Sequence, residues 1–131
     1  NAMKKIIILS LISVFSLLTI TGCKKENKPE EFTLIGKTFA AFNYHFLDED
    51  VYTVWRFVSE TEVERTSRRN SPQGGLIGNI YYGTYILDYP NLNVSIPQLA
   101  EYKCEFISET CFRTQWYNTS GKIEIHEFHL Q

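Results

Sequence analysis

The sequence lacks the short motifs that mark the common catalytic sites. It contains no Gly-x-Ser-x-Gly elbow, His-Glu-x-x-His helix, Walker loop, dinucleotide glycine fingerprint or Cys-x-x-Cys pair. Isolated carboxylates such as Asp48, Asp50 and Glu105 could form an acid–base pair, but the sequence gives no reason to select two of them. We therefore predict a protein that is not an enzyme and needs no cofactor.

An excess of basic residues is also missing. The chain has 13 Lys and Arg against 15 Asp and Glu, for a formal net charge of −2. Nucleic-acid-binding proteins usually present a basic surface, so we expect no nucleic-acid partner.

No apolar run is long enough to cross a membrane as a helix. The longest, Ile6–Ile20, falls short of the roughly twenty residues required and is interrupted by serines and a threonine. Lys4 and Lys5 precede the run, and the small residues Thr21 and Gly22 follow it. This order is typical of a secretory signal peptide.

The segment Ile20–Cys23 resembles the lipobox of bacterial lipoproteins. The resemblance implies that Cys23 carries the lipid and becomes the first residue of the mature chain, and that the protein is anchored to a membrane through that lipid. The alternative is an ordinary signal peptide with an incidental cysteine. Lys24 follows Cys23 where aspartate would imply retention in the inner membrane, so we expect the cell envelope and its outer membrane.

Three regions follow from these patterns. We interpret residues 1–22 as an expression scar (Asn1-Ala2) plus the signal peptide, and residues 23–33 as the lipidated cysteine and a flexible tether, because the tether is charged and contains proline. Residues 34–131 form a single β domain. Lys24-Lys25-Glu26 resembles the tract that directs some Bacteroidetes lipoproteins to the cell surface, but we favour a solvated linker as the explanation of this segment.

The domain is predicted to be all-β. From Leu34 onward β-branched and aromatic residues alternate in short runs between turn residues, and no segment has convincing helical periodicity. If Gly83 is a bend within one strand, there are eight strands, and otherwise nine. The candidate strands are Lys37–Phe46, Val51–Val58, Glu62–Ser67, Leu76–Tyr82, Thr84–Tyr89, Asn91–Ile96, Tyr102–Ile107, Cys111–Tyr117 and Lys122–Leu130.

The short connections predict an antiparallel meander. Such a sheet must close or fold over to cover its edges, which leaves an up-and-down barrel or a two-layer β-sandwich. The stretch Thr66–Gly75 is too long for a simple turn and is expected to be a mobile loop or a lid.

Two segments resemble the lipocalin-like domains of small Bacteroidetes lipoproteins. Leu34–Phe39 is similar to the Leu-x-Gly-x-aromatic entry into their first strand, with Phe39 where tryptophan is usual, and Gly83-Thr84-Tyr85 is similar to their mid-chain Gly-x-Tyr strand. The resemblance implies a lipocalin-like barrel, and a fold does not by itself define a function.

Alternation along two strands predicts which side chains face the core. Val51, Thr53, Trp55 and Phe57 share the face that we expect to be interior. In the last strand, Ile123 and Ile125 have one parity while Phe128 and Leu130 have the other, so keeping all four inside requires a β-bulge near His126-Glu127.

Aromatic residues are numerous, with eight Tyr, nine Phe and two Trp. Core filling explains most of them, but some are candidates for a binding surface because aromatic faces bury apolar rings or sugar planes. The candidate ligand-binding residues are Trp55, Tyr81, Tyr85, Tyr102 and Trp116.

Cys104 and Cys111 lie in adjacent strands in a compartment where disulfides persist. Two of the turns that could join these strands place the cysteines on one face, where a disulfide is expected. A three-residue turn at Ser108–Thr110 places them on opposite faces, so a disulfide and two separate thiols both stay open.

The remaining polar residues give weaker indications. The spacing of His45, His126 and His129 does not favour a metal site, since the last two project to opposite faces of a regular strand. Arg65, Arg68 and Arg69 are either a solvated group or a site for an anionic ligand or lipid headgroup.

These observations favour a non-enzymatic envelope protein that binds a small apolar ligand. A protein-interaction or inhibitor module, which would show an exposed apolar patch, and a surface glycan-binding domain, which would show a row of exposed Trp or Tyr faces, are the alternatives.

Overall fold

Eight antiparallel strands close into a barrel in the computed structural model, which describes residues 31–117 and 120–131. Each strand pairs with the next along the chain, and the last pairs with the first, so the alternative of a two-layer sandwich is excluded. Gly83 lies within one long fourth strand. The strands are β1 Thr38–Phe46, β2 Glu49–Phe57, β3 Glu62–Arg69, β4 Leu76–Asp88, β5 Asn91–Ile96, β6 Ala100–Ser108, β7 Cys111–Tyr117 and β8 Ile123–Leu130.

Thr33–Gln131 forms one compact unit. The signal peptide, the lipidation site at Cys23 and nearly all of the tether lie outside the described residues. Within residues 31–117 and 120–131, no helix has the length and apolar character needed to span a membrane.

The β3–β4 connection is shorter than the sequence indicated. β3 continues to Arg69, because Ser67 and Arg69 extend the ladder opposite Thr53 and Val51 of β2. Only residues 70–75 then connect the two strands, so the predicted ten-residue loop or lid is corrected to a short turn.

The predicted bulge in β8 is wrong. The β7–β8 register runs without a shift from Cys111 opposite His129 to Tyr117 opposite Ile123. Ile123 and Ile125 are therefore on the outer face, where 52% and 65% of their surface is exposed. The register shifts instead in other pairs, at Phe42/Tyr44, Arg65/Ser67 and Phe106/Ser108.

The interior of the barrel follows the alternation predicted for β2. Val51, Thr53, Trp55 and Phe57 are all buried, which confirms the expected inward face. The residues that pair with these four on β1 and β3 lie on the same face of the sheet, so they identify the inward face of those two strands.

One end of the barrel is filled by apolar side chains, and we call it the closed end. Leu34 is buried there, and the backbone of Gly36 at a φ of 78° donates a hydrogen bond to the carbonyl of Phe57 at 2.7 Å. Phe39 lies within 5.1 Å of Phe112, centroid to centroid. The predicted entry segment therefore seals this end. The other fully or nearly buried residues here are Phe57, Tyr85, Leu92, Phe106 and Phe128.

The two cysteines are free and face opposite sides of the sheet. Cys104 points into the barrel opposite Thr114, whereas Cys111 lies on the outer face opposite His129. The shift between Phe106 and Ser108 changes the parity of the chain before β7 begins. The two cysteines therefore form no disulfide with each other.

Candidate functional site

The end of the barrel opposite the closed end, which we call the mouth, has a mixed polar and aromatic lining. It is the end at which β1–β2, β3–β4, β5–β6 and β7–β8 are connected. Several inward-facing side chains line this half of the interior, and we group six partly buried ones as a cluster. This mouth cluster consists of Arg65, Tyr81, Tyr102, Trp116, Glu124 and His126.

Aromatic rings connect the buried core to the mouth. The Trp55 ring lies 5.2 Å from the ring of Tyr102, which lies 6.1 Å from that of Trp116. Trp116 stacks on His126 with 3.8 Å between centroids and 15° between planes. The series begins at a fully buried side chain and ends at the barrel opening, so it forms one apolar wall.

Arg65 is a cation inside the barrel. Its register places it opposite Trp55 on β2 and Tyr81 on β4, both of which face inward. The guanidinium carbon lies 5.8 Å from the centroid of the Tyr81 ring. Burial raises the pKa of Tyr102, and the charge of Arg65 opposes that rise, which places the charge near this hydroxyl. Arg65 makes no ion pair with any residue in the described part of the chain.

The three clustered arginines of the sequence have separate environments. Arg69 pairs with Glu49 at 3.0 Å, and Arg68 donates from Nε to the Thr66 hydroxyl at 3.2 Å. Among the three arginines, only Arg65 is directed into the aromatic part of the barrel. The three side chains therefore do not form one shared basic site.

Glu124 and His126 add a carboxylate and an imidazole to the mouth cluster. Nε2 of His126 lies 3.2 Å from Oε2 of Glu124, and the His126 side chain is only 12% exposed. Neither residue was selected from the sequence, since the apolar Ile123 and Ile125 were assigned to the interior. In a regular strand residues 124 and 126 lie on the same face as the buried Phe128, so counting back from Phe128 in steps of two would have predicted that both side chains face inward.

A hydrogen-bond donor is left unsatisfied deep in this wall. Trp55 is fully buried, and its Nε1–H has no acceptor within residues 31–117 and 120–131. The Thr114 hydroxyl is also buried and has no hydrogen-bond partner in the described part of the chain, although its proximity to the Cys104 thiol opposes the rise in the pKa of that thiol. A buried donor without an acceptor costs on the order of 1–3 kcal/mol. Two such groups therefore mark a polar part of an otherwise apolar interior.

The five predicted ligand-binding residues all face the interior but do not form one site. Trp55, Tyr102 and Trp116 are in one series of ring contacts, and Tyr81 is connected to them through Arg65. Tyr85 is separate. It packs against Phe57 at 4.9 Å, and its hydroxyl donates to the carbonyl of Ser59, so it belongs to the closed end.

The outer surface also has a groove, about 940 Å³ in volume, across β4, β5, β6 and β7. Its lining includes Tyr102 and Trp116 of the mouth cluster, but not Arg65, Tyr81 or His126. The groove therefore shares two residues with the mouth cluster. Its outward-facing residues are Thr84, Ile86, Asn93, Ser95, Glu101, Lys103 and Gln115.

Comparison with known proteins adds no functional assignment: no protein-family model, curated protein or solved structure matches the chain. The chemistry of the mouth must therefore be interpreted from its own residues. Aromatic faces can bind the apolar body of a ligand. A cation without an acidic partner among the described residues can bind an anionic group on the same ligand.

Proposed function

We propose that the protein is a non-enzymatic carrier that binds a small ligand with an apolar, preferably aromatic, body and one anionic group at the barrel mouth. The observation that supports this most directly is the position of Arg65, which lies inward beside aromatic rings and has no acidic partner among the described residues.

The aromatic wall would bind the apolar body. Tyr102 and Trp116 are only partly buried, so each presents ring surface that a ligand can still cover. Burying apolar area contributes about 25 cal/mol per Å², and ring stacking adds about 0.5–1.5 kcal/mol for each contact. These rings are held by Trp55 and His126 on either side, so little ordering is required on binding.

Arg65 would bind the anionic group. A guanidinium presents five donors in a planar arrangement that matches a carboxylate, and hydrogen bonds between ionised groups are about twice as strong as neutral ones. The barrel wall also excludes part of the solvent, which strengthens the attraction relative to an exposed pair. A ligand without charge would leave this cation partly desolvated and unpaired.

The proposed anchor is consistent with a carrier in the cell envelope. A lipid on Cys23 would hold the protein at the outer membrane, and residues 24–33 would act as the tether. The lipoprotein assignment depends on the sequence pattern alone, and the ligand proposal does not require it.

A matched pair of water-soluble probes tests the proposal. We would titrate the full chain, purified in a mild detergent, with 4-phenylbutyrate and with its neutral amide, and follow binding by isothermal titration calorimetry against a detergent blank. We expect the carboxylate to bind at least about tenfold more tightly than the amide, since one ionic hydrogen bond is worth about 1.5–3 kcal/mol. The variant Arg65→Met should remove this preference.

Arg56→Met is the matched control. Arg56 lies on the outer face of the neighbouring strand with 58% of its side chain exposed, so its loss should leave both affinities unchanged. Equal affinity for the two probes, or an unchanged preference in Arg65→Met, would contradict the proposal.

A protein-interaction module is the second candidate. The β1–β2 turn exposes 62% of Phe46 and 79% of Leu47, which is the kind of apolar patch expected of such a module. Neither tryptophan offers an outer platform for the glycan-binding alternative, because Trp55 and Trp116 both face into the barrel.

A further inference from the structure

We propose that Cys111, Glu127 and His129 form a binding site for a divalent transition-metal ion, and that Zn²⁺ fits it best. The site lies on the outer face of β7 and β8, away from the mouth cluster and independent of the proposed ligand.

The three side chains converge because of the strand register. Cys111 is directly opposite His129 in the β7–β8 ladder, and Glu127 is two residues before His129 on the same face. One ligand atom from each residue lies within 4.8 Å of the other two. Tetrahedral coordination of zinc requires about 3.3–3.6 Å between these atoms, given bonds of about 2.0–2.3 Å. Rotation of exposed side chains can close this difference.

The Glu127 carboxylate is already oriented for this role. Its Oε1 accepts a hydrogen bond from Nε of Arg113 at 3.1 Å, while its Oε2 lies 3.7 Å from Nε2 of His129. One oxygen is therefore fixed by an arginine and the other faces the proposed ion. Partners that orient a ligand in this way commonly contribute to metal affinity.

The backbone around the site is also fixed. Leu130 donates its N–H to the carbonyl of Thr110 at 2.9 Å, which joins the end of β8 to the turn that precedes Cys111. The strands that supply the thiol and the imidazole therefore cannot separate without breaking the ladder.

The donor set selects the metal. A thiolate, an imidazole and a carboxylate are the three ligand types that zinc accepts, and a thiolate disfavours the hard ions Mg²⁺ and Ca²⁺. Three protein ligands leave a fourth position for water.

The test is a cobalt titration of the full chain, kept reduced, with Zn²⁺ competition to obtain the zinc affinity. Bound Co²⁺ should show a thiolate-to-cobalt absorption band that Cys111→Ser abolishes. Cys23 and Cys104 are present in all samples, so the difference isolates Cys111. His129→Gln and Glu127→Gln should each weaken Zn²⁺ binding at least about tenfold.

His45→Gln is the matched control. His45 forms a similarly exposed histidine–carboxylate pair with Asp50 at 2.7 Å, but the cluster found among the described residues does not include it. We expect this variant to bind metal as the wild type does. Absence of the thiolate band in the wild type, or equal zinc affinity in the wild type and His129→Gln, would overturn the proposal, provided that thermal unfolding shows all variants to be folded.

Discussion

The closed end and the mouth of the barrel use similar aromatic residues for different purposes. At the closed end Phe39, Phe57 and Phe112 have no exposed surface, and the hydroxyl of Tyr85 has an acceptor. At the mouth Tyr102 and Trp116 keep part of their surface open, beside charged groups. The difference indicates that the closed end maintains the fold, while the mouth keeps ring surface that the proposed ligand would cover.

The largest expected effect is a difference between the two ends in how much a large-to-small substitution lowers the free energy of unfolding. Phe112 is fully buried and packs against four other rings, so Phe112→Ala should lower the free energy of unfolding by about 3–5 kcal/mol. Trp116→Ala at the mouth should cost no more than about 2 kcal/mol, because its ring is partly exposed. Urea denaturation measures both.

Equal losses for these two variants would mean that the mouth is part of the core. If Phe112→Ala fails to fold, Phe112→Leu offers a smaller change at the same position, and it should still cost more than any conservative substitution of Trp116.

The next effect uses the thiols to compare the interior with the outer surface. Burial raises the pKa of Cys104 from its ordinary value of 9.0 to about 12, and the neighbouring Thr114 opposes this only in part. Between these values the thiol ionises in the unfolded chain but stays neutral in the folded one. Stability should therefore fall as the pH rises above 9, by up to about 1.4 kcal/mol per pH unit.

Cys104→Ala should flatten this alkaline slope relative to the wild type. Cys111→Ala should change it much less, because Cys111 lies on the outer face and burial raises its pKa to a smaller degree. Denaturation curves at a series of pH values from 8 to 11 provide the measurement, and an identical slope in the wild type and Cys104→Ala would show that the inner thiol is not shielded.

The smallest expected effect concerns two tyrosine hydroxyls. Tyr85 at the closed end donates to the carbonyl of Ser59, so Tyr85→Phe should lower stability by about 1 kcal/mol. Tyr81→Phe at the mouth should stay within about 0.5 kcal/mol, since that ring acts mainly as a surface beside Arg65. Thermal unfolding would resolve the order, and a larger loss for Tyr81→Phe would reverse the assignment of the two ends.

Local alternation was sufficient to predict most of the barrel, because residues two apart on a strand share a face. It identified the inward face of β2, but it left open whether Gly83 lies within one strand, as it does in β4, or separates two. A Cβ at position 83 would lie 2.2 Å from the carbonyl oxygen of Ser95, so this glycine is required where β5 passes closely.

The candidate site was harder to predict because it departs from the apolar pattern. Glu124 and His126 face inward while Ile123 and Ile125 face solvent, the reverse of what burial of apolar surface favours. Arg65 was grouped with its neighbours in sequence, since the register that directs it inward depends on pairing with strands on both sides. The faces of Cys104 and Cys111 depended likewise on a register shift that the turn residues alone do not specify.

The most direct test of the carrier function is native mass spectrometry of the full chain, released gently from cell-envelope membranes in mild detergent. Comparison with the denatured mass would reveal a co-purifying molecule. We predict a small, apolar ligand with one negative charge, present on the wild type and on Arg56→Met but absent from Arg65→Met. A wild-type barrel that stays bare, even after incubation with envelope extracts, or a ligand retained equally by Arg65→Met, would contradict the account.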